Sequence, residues 1–361
     1  MSEQAPPRLY ARMFTRSDLV VLGVSVVLVA ASGVTHAVPA GSVVPFVVSA
    51  GAVAVLASLV GRSVEQMGDR FGPGATGALQ SALGNLPELF IALFALRAGL
   101  VTVVQSALIG SILGNLLLVL GLAFVVGGLK HGPQALDSKR AREIAVLMVL
   151  SVGAMVVPSL AASIHTPAGS HEGALSIVVS VLLILLYAVT LPGSLKRGAS
   201  DAGETETPRW PLWLAVGLLA LASAAAAFVS DWFVAALQPA MQSLHISEAF
   251  AGLVVVAIAG NAIENVVGVQ LAARNRSEYA FSVIIQSPLQ IALVLAPVLV
   301  IGSQVLGFAT LTLVFPPMLV AAVAIAVLMA VFITFDGEST WAEGAAMIVL
   351  YAVIAASFWW G

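Results

Sequence analysis

Eleven apolar runs, each near or above the roughly 20 residues a helix needs to cross hydrocarbon, leave this chain few ways to fold. They cover residues 18–36, 43–62, 74–97, 101–127, 141–161, 173–192, 211–230, 246–273, 278–303, 307–333 and 340–360. Lipid tails offer no hydrogen bonds, so backbone groups in such runs must pair internally, which favours helices. The expected fold class is an all-α polytopic membrane protein with eleven transmembrane helices. Composition agrees: 60% of residues are hydrophobic and 9% charged, against about 45–50% apolar and about 25% charged in soluble domains. The run at 18–36 ends near the small residues Ala37-Val38-Pro39-Ala40, as a cleaved signal peptide would. Its long polar lead and full span length instead predict a retained helix.

Orientation follows from the basic residues. With the N-terminus cytoplasmic, the inner segments hold 14 of the 15 Lys and Arg residues, and only Arg97 lies outside. The polar stretch with Lys196, Arg197, Asp201, Glu204, Glu206 and Pro208 reads as a cytoplasmic linker. The chain then divides into an N-terminal tail and extra helix (1–42), a first five-helix repeat (43–192), the linker (193–210) and a second five-helix repeat (211–361). An odd number of spans per repeat gives the two opposite orientations, the inverted plan of many secondary transporters. Sliding 84–115 onto 260–291 without a gap matches Gly84/Gly260, Asn85/Asn261, Glu88/Glu264, Ser106/Ser282, Ser111/Ser287 and Leu113/Leu289. The expected location is a bacterial inner (plasma) membrane, crossed many times, with the lipid bilayer as a partner.

One of those matches, Glu88/Glu264, carries charge. Gly84-Asn85-Leu86-Pro87-Glu88 and Gly260-Asn261-Ala262-Ile263-Glu264 each put a carboxylate inside an apolar run, 176 positions apart. A charge at mid-membrane costs about 2.5–3.5 kcal/mol even on lenient scales and marks a functional site by default. Asn and Glu three apart share a helix face, while the preceding glycine and Pro87 weaken the helix there. Local unwinding frees carbonyl oxygens, tolerable only where they line a cavity or meet an ion. The following span in each half adds Ser111 with Asn115 and Ser287 with Gln290. Oxygen donors of these kinds suit a hard cation such as Ca²⁺. Burial and like charge both work against two ionised carboxylates, so protons or a cation must hold the site. That alternation is the basis of exchange.

Other residues have plainer readings. Gly110-x-x-x-Gly114 suits close helix packing; Gln105, Ser106 and Ser282 suit backbone or interhelical hydrogen bonds. Thr340 with Glu343 suits a capping box at the last helix. The chain has no cysteine, which excludes disulfides and thiolate metal sites, and its five histidines fall at or between span ends. No H-E-x-x-H or nucleophile motif accompanies the carboxylates, so an intramembrane hydrolase is not expected. Neither an enzyme, a bound cofactor nor a nucleic-acid partner is expected; inorganic cation and protons are the substrates. A passive channel, needing no counter-ion, is the third class, opposed by the repeat through fold-level analogy alone.

The motifs closely resemble those of the calcium/proton exchanger family of the calcium/cation antiporter superfamily. The first signature continues from Glu88 to Val104-Gln105-Ser106 and Gly110-Ser111-Ile112-Leu113-Gly114-Asn115-Leu116-Leu117-Leu118. The second stands as Ala259-Gly260-Asn261-Ala262-Ile263-Glu264, and Asp336-Gly337-Glu338-Ser339-Thr340-Trp341 resembles the family's approach to its last helix. Pro87, Asn265 and the stretch Gln286-Ser287-Pro288-Leu289-Gln290 depart from its usual pattern. The resemblance implies eleven helices, alternating access, and Glu88 and Glu264 as carriers of both Ca²⁺ and protons. Asn85, Asn261, Gly84, Gly260, Ser111, Ser287, Asn115 and Gln290 are the supporting residues expected from the motifs. The competing expectation is a Na⁺ or K⁺/proton antiporter using the same two carboxylates.

Overall fold

A computed structural model describes residues 13–38, 40–71, 83–136, 138–201, 209–335 and 337–360, with the side chains of 68–71, 138–141, 192–201 and 262–265 outside the description. The helices are α1 (Arg16–Ala37), α2 (Val43–Phe71), α3 (Leu86–Arg97), α4 (Val101–His131), α5 (Ser138–Ser163) and α6 (Glu172–Asp201). After residues 202–208 come α7 (Leu212–Leu244), α8 (Glu248–Gly260), α9 (Ala262–Ala273), α10 (Ser277–Val305), α11 (Pro317–Thr334) and α12 (Trp341–Ser357). Among the described residues, eight helices have the length and apolar composition of a membrane span. The expected span at 74–97 is described as a helix over α3, and residues 74–82 of it lie outside the described residues. The expected span at 246–273 is two helices, α8 and α9, that meet at Asn261.

α1 is tied to α2 at its first turn. Thr15 and Asp18 form a capping box, and the buried Asp18 carboxylate also receives Arg62 of α2 at 2.6 Å. Arg62 donates to Ser17 as well, at 2.8 Å. One turn further along α2, Gln66 Oε1 accepts the N–H groups of Arg209 and Trp210 at 2.8 and 3.1 Å. This end of α2 therefore fixes both the extra helix and the end of the linker. α7 lies along α2, α12 along the second half of α4, and α5 along α11.

The centre belongs to α4 and α10, each 72% buried over its most apolar stretch, against 11% for α1. α4 crosses α8 at backbone contact: a methyl group on Gly110 would overlap the Leu253 backbone, and one on Gly252 would overlap Val103 O. Three π-helical turns interrupt this core, at Gly114–Val119, Ala251–Val256 and Ile291–Leu295. Such turns occur frequently at functional sites.

The expected span at 307–333 is not helical throughout. α10 ends at Val305, Gly307 two residues on has a left-handed φ of +67°, and Phe308–Pro316 runs without helix before α11 begins at Pro317. The sequence explains it: Leu311, Leu313 and Phe315 alternate with Thr310, Thr312 and Val314, and proline at 316 and 317 disfavours helix in the preceding residues. Every second residue, Leu311, Leu313 and Phe315, is buried. Side chains replace the missing helical bonds. Leu311 N–H donates to Ser303 Oγ at 3.0 Å, Leu313 N–H to Ser176 Oγ at 3.0 Å, and Phe315 N–H to Ser159 Oγ at 2.8 Å. Ser159 donates to Leu313 O at 2.9 Å, and Gln105 Nε2 to Val314 O and Thr312 O at 2.8 and 3.3 Å. Gln105 thus bonds to backbone, as its type suggested; Ser106 and Ser282 hydroxyls find no partner among the described residues.

On the opposite end, Gln134–Ala135 pairs antiparallel with Glu338–Ser339, leading into the capping box of Thr340 and Glu343 that opens α12. Of the two glycines read as packing residues, only Gly110 is one; a methyl group on Gly114 meets nothing within 4 Å. Gly110→Ala is expected to lower stability by about 1–3 kcal/mol through overpacking, seen as a lower melting temperature in detergent. Gly114→Ala, already at helical dihedrals, is expected to leave that temperature unchanged or raise it.

Candidate cation site

Both acidic motifs sit where one helical stretch gives way to the next. Asn85 has φ −94° and ψ 21°, and Asn261 has φ −93° and ψ 20°. These dihedrals lie in the sparsely populated bridge region common at active sites. Each asparagine precedes a new helix, so Glu88 is the third residue of α3 and Glu264 the third of α9. A carboxylate in a first turn meets unpaired N–H groups and the positive end of the helix dipole. Pro87, inside that first turn of α3, lacks only an N–H that would have no helical partner anyway. Glu88 is buried, 8% exposed. The side chain of Glu264 lies outside the described residues.

Gly260 brings the motifs together. A methyl group on it would lie 2.7 Å from Glu88 Cγ, 3.2 Å from Cδ and 3.3 Å from Oε1. The carboxylate of the first motif therefore rests against the backbone of the second. Gly84, its counterpart, is half-buried in the turn before Asn85.

The asparagines join the two halves through hydrogen bonds. Asn261 Nδ2 donates to Ser111 Oγ at 2.8 Å and to Ala257 O at 2.9 Å. Its Oδ1 accepts from Ser287 Oγ at 3.0 Å and from Asn115 Nδ2 at 3.2 Å. Asn115 also reaches Ser111 O at 2.9 Å and Ser287 Oγ at 3.4 Å. Asn85 Nδ2 reaches Gln290 Oε1 at 3.4 Å. All six of these side chains are buried. Two acceptor oxygens, Asn85 Oδ1 and Asn115 Oδ1, are buried without a hydrogen-bond partner among the described residues.

A small cleft adjoins this network, lined by Ser111, Gly114, Asn115, Ala257, Ile258 and Asn261 among others. Gly114 belongs to it, and the sequence signal was available: Gly114 aligns with Gln290 at the 176-residue offset, one position from the Asn115/Ile291 pair. Pro288 has its own part in α10, removing an N–H just before the π-helical turn at Ile291–Leu295. The two π-helical turns that follow the serine positions, Gly114–Val119 and Ile291–Leu295, fall at the same offset to within one residue.

Residues 41–195 and 214–360, which include both motifs, match the family described as sodium/calcium exchanger protein. The chain belongs to this family. Among its relatives, the Ca²⁺/H⁺ antiporter ChaA of Bacillus subtilis (strain 168) is 38% identical over 328 residues, covering 88% of this chain and 92% of that one. The Ca²⁺/H⁺ antiporter of Aphanothece halophytica is 35% identical over 335 residues, covering 87% and 89%. The solved structure of native YfkE shares 32% identity and superposes with a TM-score of 0.80, covering 94% of this chain and 99% of that one. The H⁺/Ca²⁺ exchanger CAX, 19% identical with a TM-score of 0.76 over 95% of this chain and 92% of that one, shares the fold.

The contact at Gly260 makes a direct prediction for this exchanger-family site. Gly260→Ala would displace Glu88 while favouring the α8 helix. Ca²⁺ binding, measured by calorimetry in detergent, is expected to weaken at least about tenfold (~1.4 kcal/mol), with the melting temperature held.

Proposed function

We propose that the chain is a secondary active antiporter that exchanges Ca²⁺ for protons across the membrane by alternating access. The observation that carries this reading is Glu88 resting against Gly260, with oxygen donors from both halves gathered around the pair. The relatives named Ca²⁺/H⁺ antiporter, matched over most of their length, support the choice of ions.

Glu88 and Glu264 carry the cation and the protons. Glu264 is assigned from its place in α9, three residues after Asn261, as Glu88 stands three after Asn85. Asn85, Asn261, Ser111, Ser287, Asn115 and Gln290 supply oxygens or orient those that do, and Gly84 and Gly260 let the chain turn and approach closely. Ca²⁺ takes about 6–8 oxygen ligands in flexible geometry, and the buried Oδ1 atoms of Asn85 and Asn115 are suitable donors. Two carboxylates buried together are not left ionised and bare, so protons replace the departing ion. If the bundle changes access only when that charge is met, each Ca²⁺ leaves as protons enter.

The architecture that suits this cycle is eleven helices, an extra α1 followed by two inverted five-helix repeats, with the N-terminus cytoplasmic in a bacterial inner membrane. The equal dihedrals of Asn85 and Asn261 and the matching π-helical turns support the repeat. The cytoplasmic bias of Lys and Arg supports the orientation.

Proteoliposomes with an imposed pH gradient test the proposal. Ca²⁺ is expected to move only with the gradient, and Na⁺ or K⁺ to move little. Glu88→Gln and Glu264→Gln are each expected to reduce exchange to background while expression persists. Gradient-independent flux would indicate a channel, and proton-coupled Na⁺ or K⁺ uptake without Ca²⁺ uptake the monovalent antiporter. Near-normal exchange in either variant would remove that carboxylate from the site.

A further inference from the structure

We propose that the non-helical segment Phe308–Pro316 is a brace that sets the spacing of the two helices lining the cation site. In this arrangement Gln105 and Ser303 are positioning residues for discrimination between cations by size. The inference rests on the cation-site reading above.

The brace connects α4 to α10, and both of those helices carry site residues. Gln105 holds Thr312 O and Val314 O from α4; six residues further along that helix, about 9 Å at 1.5 Å per residue, stands Ser111, followed by Asn115. At the other end, Ser303 accepts the N–H of Leu311 from α10, the helix that also bears Ser287 and Gln290. A closed loop results: site, α4, Gln105, brace, Ser303, α10 and site again. Ser159 of α5 and Ser176 of α6 hold the middle of the brace from the side, and its alternate side chains Leu311, Leu313 and Phe315 are buried.

Three features suit the segment to this role. Outside a helix the backbone of these nine residues has its N–H and C=O groups free for other elements, so it can bond to helix after helix where a helix could not. Its ends are defined, by left-handed Gly307 on one side and by Pro316-Pro317 on the other. Its polar groups are met by single side chains from four helices, so each attachment can be removed without unravelling a helix. Selection between hard cations depends on cavity size, ligand number and flexibility. The spacing of Ser111 and Asn115 from Ser287 and Gln290 is such a dimension. A site of this kind keeps its geometry only if its supporting residues are themselves held.

The test compares dissociation constants for Ca²⁺ and for Sr²⁺, a larger ion of equal charge, by calorimetry on the full chain in detergent. Gln105→Met keeps the side chain's length and loses its donors; Ser303→Ala removes the acceptor at the opposite end. Arg62→Met breaks the α1–α2 ion pair, remote from the brace, and controls for lost stability. Each brace variant is expected to move the Sr²⁺/Ca²⁺ ratio at least threefold towards unity, while Arg62→Met leaves it unchanged. A ratio unaltered in either folded brace variant, or altered equally by Arg62→Met, would overturn the proposal. Because binding is read without transport, failure of exchange in proteoliposomes leaves this comparison intact and identifies which of the two readings is wrong.

Discussion

Hydrocarbon supplies neither donors nor acceptors, and the breaks at the ends of α8 and α10 and the start of α1 are arranged around that fact. Where α8 ends, Asn261 uses both ends of its side-chain amide, bonding Ser111, Ala257, Ser287 and Asn115. Where α10 ends, hydroxyls and one amide take up the backbone of Phe308–Pro316. Where α1 begins, buried Asp18 has an N-cap and a guanidinium. An unmet polar group in such surroundings costs several kcal/mol. In a chain that is only 9% charged, these breaks and caps each carry polar side chains placed to meet the backbone or a charge.

The site depends on glycine as much as on acid. Gly110 and Gly252 let α4 and α8 meet at backbone distance, and this crossing sets Ser111 within reach of Asn261. Gly260 leaves room for the Glu88 side chain. Small residues commonly permit close approach in membrane bundles, but here the approach also brings Ser111 into hydrogen-bond contact with Asn261. The packing of α4 on α8 and the chemistry of the site are therefore one arrangement.

Much of this was legible in the sequence, because burial of polar residues in apolar runs is costly enough to leave a mark. The motifs at 84–88 and 260–264 announced themselves by charge, and Ser111, Asn115, Ser287 and Gln290 by polarity at one-turn spacing. Hydropathy was a poorer guide to local geometry. It read 307–333 as one helix because Phe308–Pro316 is as apolar as its neighbours, although its alternation and its two prolines favour extended chain. It also gave α8 and α9 as one span, since the break at Asn261 changes dihedrals without changing hydrophobicity. Gly114 was grouped with Gly110 by spacing alone, yet spacing does not say which glycine faces a neighbour and which faces a cleft. The pairing of particular side chains across the halves, such as Asn85 with Gln290, depends on how distant helices cross, and no local pattern encodes that.

The 176-residue offset sets Gln290 opposite Gly114, and the two differ as much as residues can. One half closes its position with an amide bonded to Asn85; the other leaves bare backbone beside Asn261. The surroundings of the site are therefore unlike on its two sides, furnished by a side-chain amide on one and by main chain alone on the other.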